Sequence, residues 1–141
     1  MGQRTHALVP TRFLVIMAHL VLCGTLLLDK KSDIIDRSLP KRFSADDARR
    51  VYHQCLTAFI LSVIFLLLEL FGFLSGATMF MGTYNLVSVL FHFSGVVATS
   101  YFIVERWNIF SYWYIFVGSI CIPFVLEIVN ITVRIWFRHS L

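Results

Sequence analysis

Charge is scarce in this chain. Of its 141 residues only 14% are Asp, Glu, Lys or Arg, against about 25% in soluble globular domains. Hydrophobic residues make up 58%, with 14 phenylalanines among them, and the mean hydropathy is +0.79. A single soluble domain of this length has too much surface to hide so many apolar side chains. The shortage of charge therefore excludes a soluble enzyme and a disordered chain. It leaves a small integral membrane protein. Cysteine is scarce too: Cys23, Cys55 and Cys121 are odd in number and form no CxxC pair, which excludes a disulfide scaffold.

Catalytic motifs are also lacking. There is no HExxH, no glycine-rich phosphate loop and no nucleophile elbow. The Asn130-Ile131-Thr132 sequon falls inside a hydrophobic run, and Met1-Gly2 is followed by His6 where a myristoylation signal needs Ser or Thr. The chain reads as a non-enzyme with no metal, no cofactor and no small-molecule substrate.

What charge there is has a layout. The net charge is +4, but most charged residues crowd into 29–51, among them Lys30, Lys31, Arg37, Lys41, Arg42, Arg49 and Arg50 with Asp29, Asp33, Asp36, Asp46 and Asp47. Basic residues beside a hydrophobic run set membrane topology before they suggest nucleic acid, so no nucleic-acid partner is expected.

Around that loop the apolar runs have spanning length, since a hydrocarbon core of about 30 Å takes about 20 helical residues. Spans are expected at about 8–28, 52–74, 83–104 and 112–134. The predicted fold is an all-α integral membrane protein, a four-span transmembrane helix bundle forming a single membrane domain. Arg12 lies close enough to the start of the first span to snorkel to the headgroups. Ser44-Ala45-Asp46-Asp47 reads as a helix N-cap with an acid at the third helical position. Pro123 is expected as a kink in the last span. Tyr52, Trp107, Tyr112, Trp113 and Tyr114 are expected as an interfacial belt on one side, with Trp136 on the other. The side holding the first and third loops carries eight Lys/Arg and the side holding both termini and the second loop carries four. That imbalance places loop 29–51 in the cytoplasm and both termini outside.

Polar groups at depth are costly and ask for partners. Measured from the side of the termini at 1.5 Å per residue, Asn130 lies at ~6 Å, Glu69 ~8 Å, Glu127 ~10 Å, His92 ~14 Å and His19 ~17 Å. They are expected to share one layer, with Glu69, His92 and Glu127 bonded to each other and to Asn130 or Ser88. Gly72 and Gly76 form a GxxxG, and Gly95 sits in a small-polar stripe with Ser88, His92 and Thr99; these glycines are expected to serve helix packing. The layer reads first as a structural tie. The alternative is a small channel or transporter subunit using the Glu/His cluster.

Several segments carry a family resemblance. Leu8-Val9-Pro10-Thr11-Arg12-Phe13-Leu14 with Ala18-His19-Leu20-Val21 resembles the first span of the transmembrane protein 107 family. Glu69-Leu70-Phe71-Gly72-Phe73-Leu74-Ser75-Gly76, followed by Met79-Phe80, resembles its second span and turn. Phe102-Ile103-Val104-Glu105-Arg106-Trp107 and Tyr112-Trp113-Tyr114-Ile115-Phe116-Val117 resemble its third-to-fourth junction, and Pro123 and Glu127 fall where the family has a Pro and a Glu. The likeness runs from about Leu8 to Val133 and is loosest in the charged loop. It implies a four-span component of the ciliary transition zone, at the base of the primary cilium. It further implies action with the Meckel-syndrome module, including tectonic proteins, meckelin and associated peripheral proteins, in support of ciliogenesis and Hedgehog signalling, with loss linked to ciliopathies. No catalytic residue is implied.

Overall fold

The computed structural model describes residues 2–29 and 31–141, without the side chains of Gly2, Arg4 and Thr5. Met1 and Lys30, the latter one of the basic loop residues, lie outside the described residues. The described residues form helices and no strand: α1 (Gly2–Leu28), α2 (Ser32–Ser38), α3 (Ala45–Leu74), α4 (Gly82–Val104), α5 (Ile109–Phe116) and α6 (Ile122–His139). A wide π turn, Val117–Cys121, joins α5 to α6 without a break. Four helical stretches are therefore long and apolar enough to cross a membrane: His6–Leu28, Ala45–Leu74, Gly82–Val104 and Ile109–His139.

Local chemistry sets the boundaries. Ser44 and Asp47 make a reciprocal capping box at the start of α3: the Ser44 side chain accepts from the Asp47 backbone N–H at 3.1 Å, and the Asp47 carboxylate accepts from the Ser44 N–H at 3.3 Å. Asn108 caps α5, accepting from the Ser111 N–H at 3.1 Å. At its far end α3 stops at Leu74, and Gly76 takes φ +81°, the left-handed conformation that closes a helix. Gly76 is thus a terminator rather than half of a packing motif, and a Cβ there would meet nothing within 4 Å.

Pro123 lies inside a continuous helical stretch, directly after the π turn. Its ring crowds the carbonyl four residues back and it offers no N–H. The π turn immediately before it widens the helix there, with the Ile122 N–H reaching five residues back to Val117. The Pro123 carbonyl then accepts the Tyr84 hydroxyl at 3.0 Å.

The bundle is divided along its length. The half toward the charged loop is mostly apolar, built on Cys23, Leu26, Val51, Cys55, Phe59, Phe102, Ile109 and Phe116. Tyr112 belongs to this core and not to the interfacial belt. It is fully buried, its ring packs edge-on against Phe59 at 4.9 Å, and its hydroxyl meets Ser62 at 2.7 Å. A phenol can sit this deep because its hydroxyl is bonded. Tyr52, Trp107, Tyr114 and Trp136 remain exposed, and Trp113 is half-buried.

The charged loop folds back on the bundle end. Ile34 of α2 is buried in the core. Arg37 donates to the Phe102 carbonyl at 3.2 Å with its guanidinium 4.9 Å from the centre of that ring. Burial pushes the Arg37 guanidinium below its ordinary value, and the Asp33 carboxylate pushes it back up. Asp33 also pairs with Arg106, and Ser38 accepts from the Ile109 N–H at 3.0 Å. The loop is therefore bolted to the ends of α4 and α5.

Candidate functional site, a buried charge network

The half of the bundle nearer the termini holds a charged interior. At its centre, and not at the headgroups, is Arg12. Its side chain is 0% exposed. The reason is a set of acceptors supplied by three other helices and a turn. Nη2 donates to Glu127 Oε2 at 2.7 Å and to Glu69 Oε1 at 3.3 Å. Nη1 donates to Asn85 Oδ1 at 2.9 Å and to Thr78 Oγ1 at 3.1 Å, and Nε to Ser88 Oγ at 3.1 Å. The planar guanidinium suits such a fork of acceptors in a way a lysine ammonium does not. Its faces are covered by Phe73 at 4.9 Å and Tyr84 at 4.6 Å.

The acceptors are themselves tied. Ser88 donates to Glu69 Oε1 at 3.1 Å, Thr78 donates to Glu127 Oε1 at 2.8 Å, and Asn85 donates to the Met79 carbonyl at 2.6 Å. A buried ion pair repays its desolvation only when remaining lone pairs and protons are also bonded. Here both carboxylates and all three guanidinium nitrogens are.

Glu69 extends the network away from the termini. Its Oε2 lies 2.9 Å from His92 Nε2, and His92 Nδ1 lies 3.2 Å from His19 Nδ1. The two rings meet edge-on at 5.5 Å between centres. With a carboxylate at Oε2, His92 Nε2 is the donor. The imidazole–imidazole contact then needs one Nδ1 bearing hydrogen and one bare.

Of the residues expected in the layer, Glu69, Glu127, His92 and His19 are brought together, with Ser88 between Glu69 and Arg12. Asn130 is not among them. It is half-buried and its side-chain amide donates to the Leu126 carbonyl of its own helix at 2.8 Å. Arg12, Thr78 and Asn85 join instead. Arg12 had a detectable signal: Arg12, Ile16, His19, Cys23 and Leu26 are spaced by alternating fours and threes, and all are buried on one helix face.

Two glycines make the approach possible. A Cβ on Gly72 would stand 2.6 Å from Glu127 Oε1. A Cβ on Gly95 would stand 2.6 Å from Ser119 Cβ and would also strike the His19 ring at Cε1. Small residues at these crossings let α3 approach α6, and let α4 approach α1 and the π turn.

Among the described residues no group of three His, Cys, Asp or Glu side chains is arranged to hold a metal. Arg12 occupies the centre that a cation would need, and its charge answers the two carboxylates. Chemically, the arrangement can hold helices in register and can pass protons between Glu69, His92 and His19.

Comparison with known proteins gives a consistent match. The TMEM107 family model, described as "Transmembrane protein", matches residues 8–131. Transmembrane protein 107 of Rattus norvegicus is 41% identical over 124 residues, covering 88% of each chain. The Homo sapiens protein of that name is 41% identical over the same length. That of Xenopus laevis is 34% identical over 140 residues, covering 96% of each. No solved structure matches the chain.

Proposed function

The chain belongs to the transmembrane protein 107 family, and from that premise we propose that it is a non-enzymatic, multi-pass component of the ciliary transition zone. In this reading it helps assemble or retain Meckel-module proteins at the cilium base, tectonics and meckelin among them. It thereby supports ciliogenesis, ciliary gating and Hedgehog signalling.

The observation that carries this reading is the internal tie around Arg12. A side chain on α1 bonds acceptors on α3, α4 and α6 and in the turn before α4. The polar groups around Arg12 face inward and are mutually bonded. Large apolar side chains such as Leu68, Phe71, Leu90, Phe93, Tyr101 and Val125 face outward. Such a bundle keeps its shape while presenting lateral faces to lipid and to neighbouring helices. The charged loop, bolted down by Arg37, Arg106 and Asp33, gives peripheral proteins a fixed surface.

The test is location. A tagged copy expressed in ciliated cells should concentrate at the cilium base, and depleting the protein should reduce tectonic and meckelin signal there. Diffuse plasma-membrane or organelle staining in ciliated cells would sink the reading.

A further inference from the structure

Two polar atoms deep in the bundle have no protein partner among the described residues, His19 Nε2 and Thr99 Oγ1. Both residues are fully buried. Thr99 lies one turn beyond Gly95 on α4, and a Cβ on Gly95 would strike His19 Cε1, the carbon bonded to Nε2. Leaving such atoms unbonded is costly, and proteins meet them with ordered water where the surroundings are polar.

The two atoms fall between two hydrogen-bonded groups. Toward the termini the Arg12 network begins at Thr78, in the turn before α4, and at Asn85, one turn inside α4. It continues through Glu69 and His92 to His19. Toward the charged loop, Cys23 lies one turn beyond His19 on α1. Its thiol meets the Tyr112 hydroxyl at 3.5 Å, and that hydroxyl meets Ser62, which donates to the Ala58 carbonyl. Tyr112 is one turn inside α5. Polar side chains thus run from one turn inside α4 at one end of the bundle to one turn inside α5 at the other. The interval between His19 and Tyr112 is the gap.

We propose that water held between His19 Nε2 and Thr99 Oγ1 closes this gap and makes the bundle a slow proton path. In one direction a proton on Glu69 Oε2 moves to His92 Nε2 as the His92 Nδ1 proton moves to His19 Nδ1. The His19 Nε2 proton then leaves to the water. Each nitrogen that gains a proton is matched by one that loses it, so both rings end neutral with their tautomers exchanged and Glu69 ends as the carboxylate. A second proton can follow in the same direction only after both buried rings turn so that each aims its bare nitrogen at the incoming proton, which keeps the path slow. Arg12 and Glu127 stand beside Glu69 on one side, and Cys23 and Ser119 flank His19 on the other. This activity goes beyond assembly at the cilium base and neither requires nor excludes it.

The experiment places the purified full-length protein in vesicles with a potassium gradient, starts the potential with valinomycin, and follows a trapped pH dye. Flux above protein-free vesicles is expected. Thr99→Val removes one hydroxyl at nearly constant shape, so it tests the water site without dismantling the bundle. Its flux should be about tenfold lower, the effect of removing one relay hydrogen bond, with unchanged melting. His92→Gln should abolish flux, and its folding is checked by helix content. No flux above empty vesicles from folded protein overturns the proposal. So does a Thr99→Val protein that conducts like the parent.

Discussion

Arg12 and Glu127 are 115 positions apart and meet at 2.7 Å, both buried, in the shortest of the bonds that Arg12 makes. This pair joins the first helix to the last. Removing the guanidinium leaves two carboxylates buried without a counter-charge, which costs about 3–5 kcal/mol. Arg12→Ala should therefore be among the most destabilising single changes in the chain, read as thermal unfolding in detergent. Arg12→Lys should recover only part, because an ammonium is a point charge and these acceptors sit on a fork. Adding Glu127→Gln and Glu69→Gln to Arg12→Ala should recover part of the loss. An Arg12→Ala protein as stable as the parent would mean the network holds nothing.

The three glycines predict an order. Gly95→Ala drives a methyl into Ser119 Cβ and the His19 ring, and overpacking of that kind costs about 1–3 kcal/mol. Gly72→Ala meets the far end of the Glu127 side chain, which can shift at the expense of its bonds to Arg12 and Thr78. Gly76→Ala meets open space but forces a left-handed backbone onto alanine, a cost of about 1 kcal/mol. Melting temperatures should show Gly95→Ala as the most severe. A Gly76→Ala protein below it would restore the packing role to Gly76.

Tyr112 and Tyr114 are two residues apart with opposite surroundings. Tyr112 is fully buried with its hydroxyl on Ser62, and Tyr114 is 83% exposed. Tyr112→Phe should cost about 1 kcal/mol, the net worth of a buried hydrogen bond. Tyr114→Phe should cost nothing measurable. Equal melting of the two variants would return Tyr112 to the interfacial belt.

The count of basic residues predicts an orientation. With loop 29–51 in the cytoplasm, a glycosylation acceptor appended beyond Leu141 should be modified in competent membranes, and one placed in the exposed segment 40–43 should not. The reverse pattern would invert the bundle.

Hydropathy alone made the four helices legible, because runs this apolar over this length have few other solutions. The capping box at Ser44 and Asp47 was legible too, since its chemistry is local. Depth estimates put Glu69, His92, His19 and Glu127 within reach of one another, and the structure joins them. What failed was direction. Depth says nothing about rotation of one side chain, and Asn130 turned back onto its own helix. Arg12 lies near the start of a span taken to begin at Leu8, but α1 begins at Gly2, so Arg12 sits well inside it. The charge count held the missing clue: two buried carboxylates in one small bundle demand a cation, and Arg12 was the residue on the His19 stripe able to supply it. Gly76 was read by spacing, although α3 had already ended at Leu74.

The burial of Arg12 also bears on how the chain is made. Its partners on the other helices lie 57 to 115 residues downstream. During synthesis the first helix therefore reaches the membrane with an unanswered charge and waits for the last helix to receive it. A chain truncated before Ile122 should leave the first segment poorly inserted, measured by protease access to an N-terminal tag; full insertion of that fragment would show that α1 needs no later partner. The helix made first is completed by the helix made last, so quality control of the whole bundle can rest on one salt bridge.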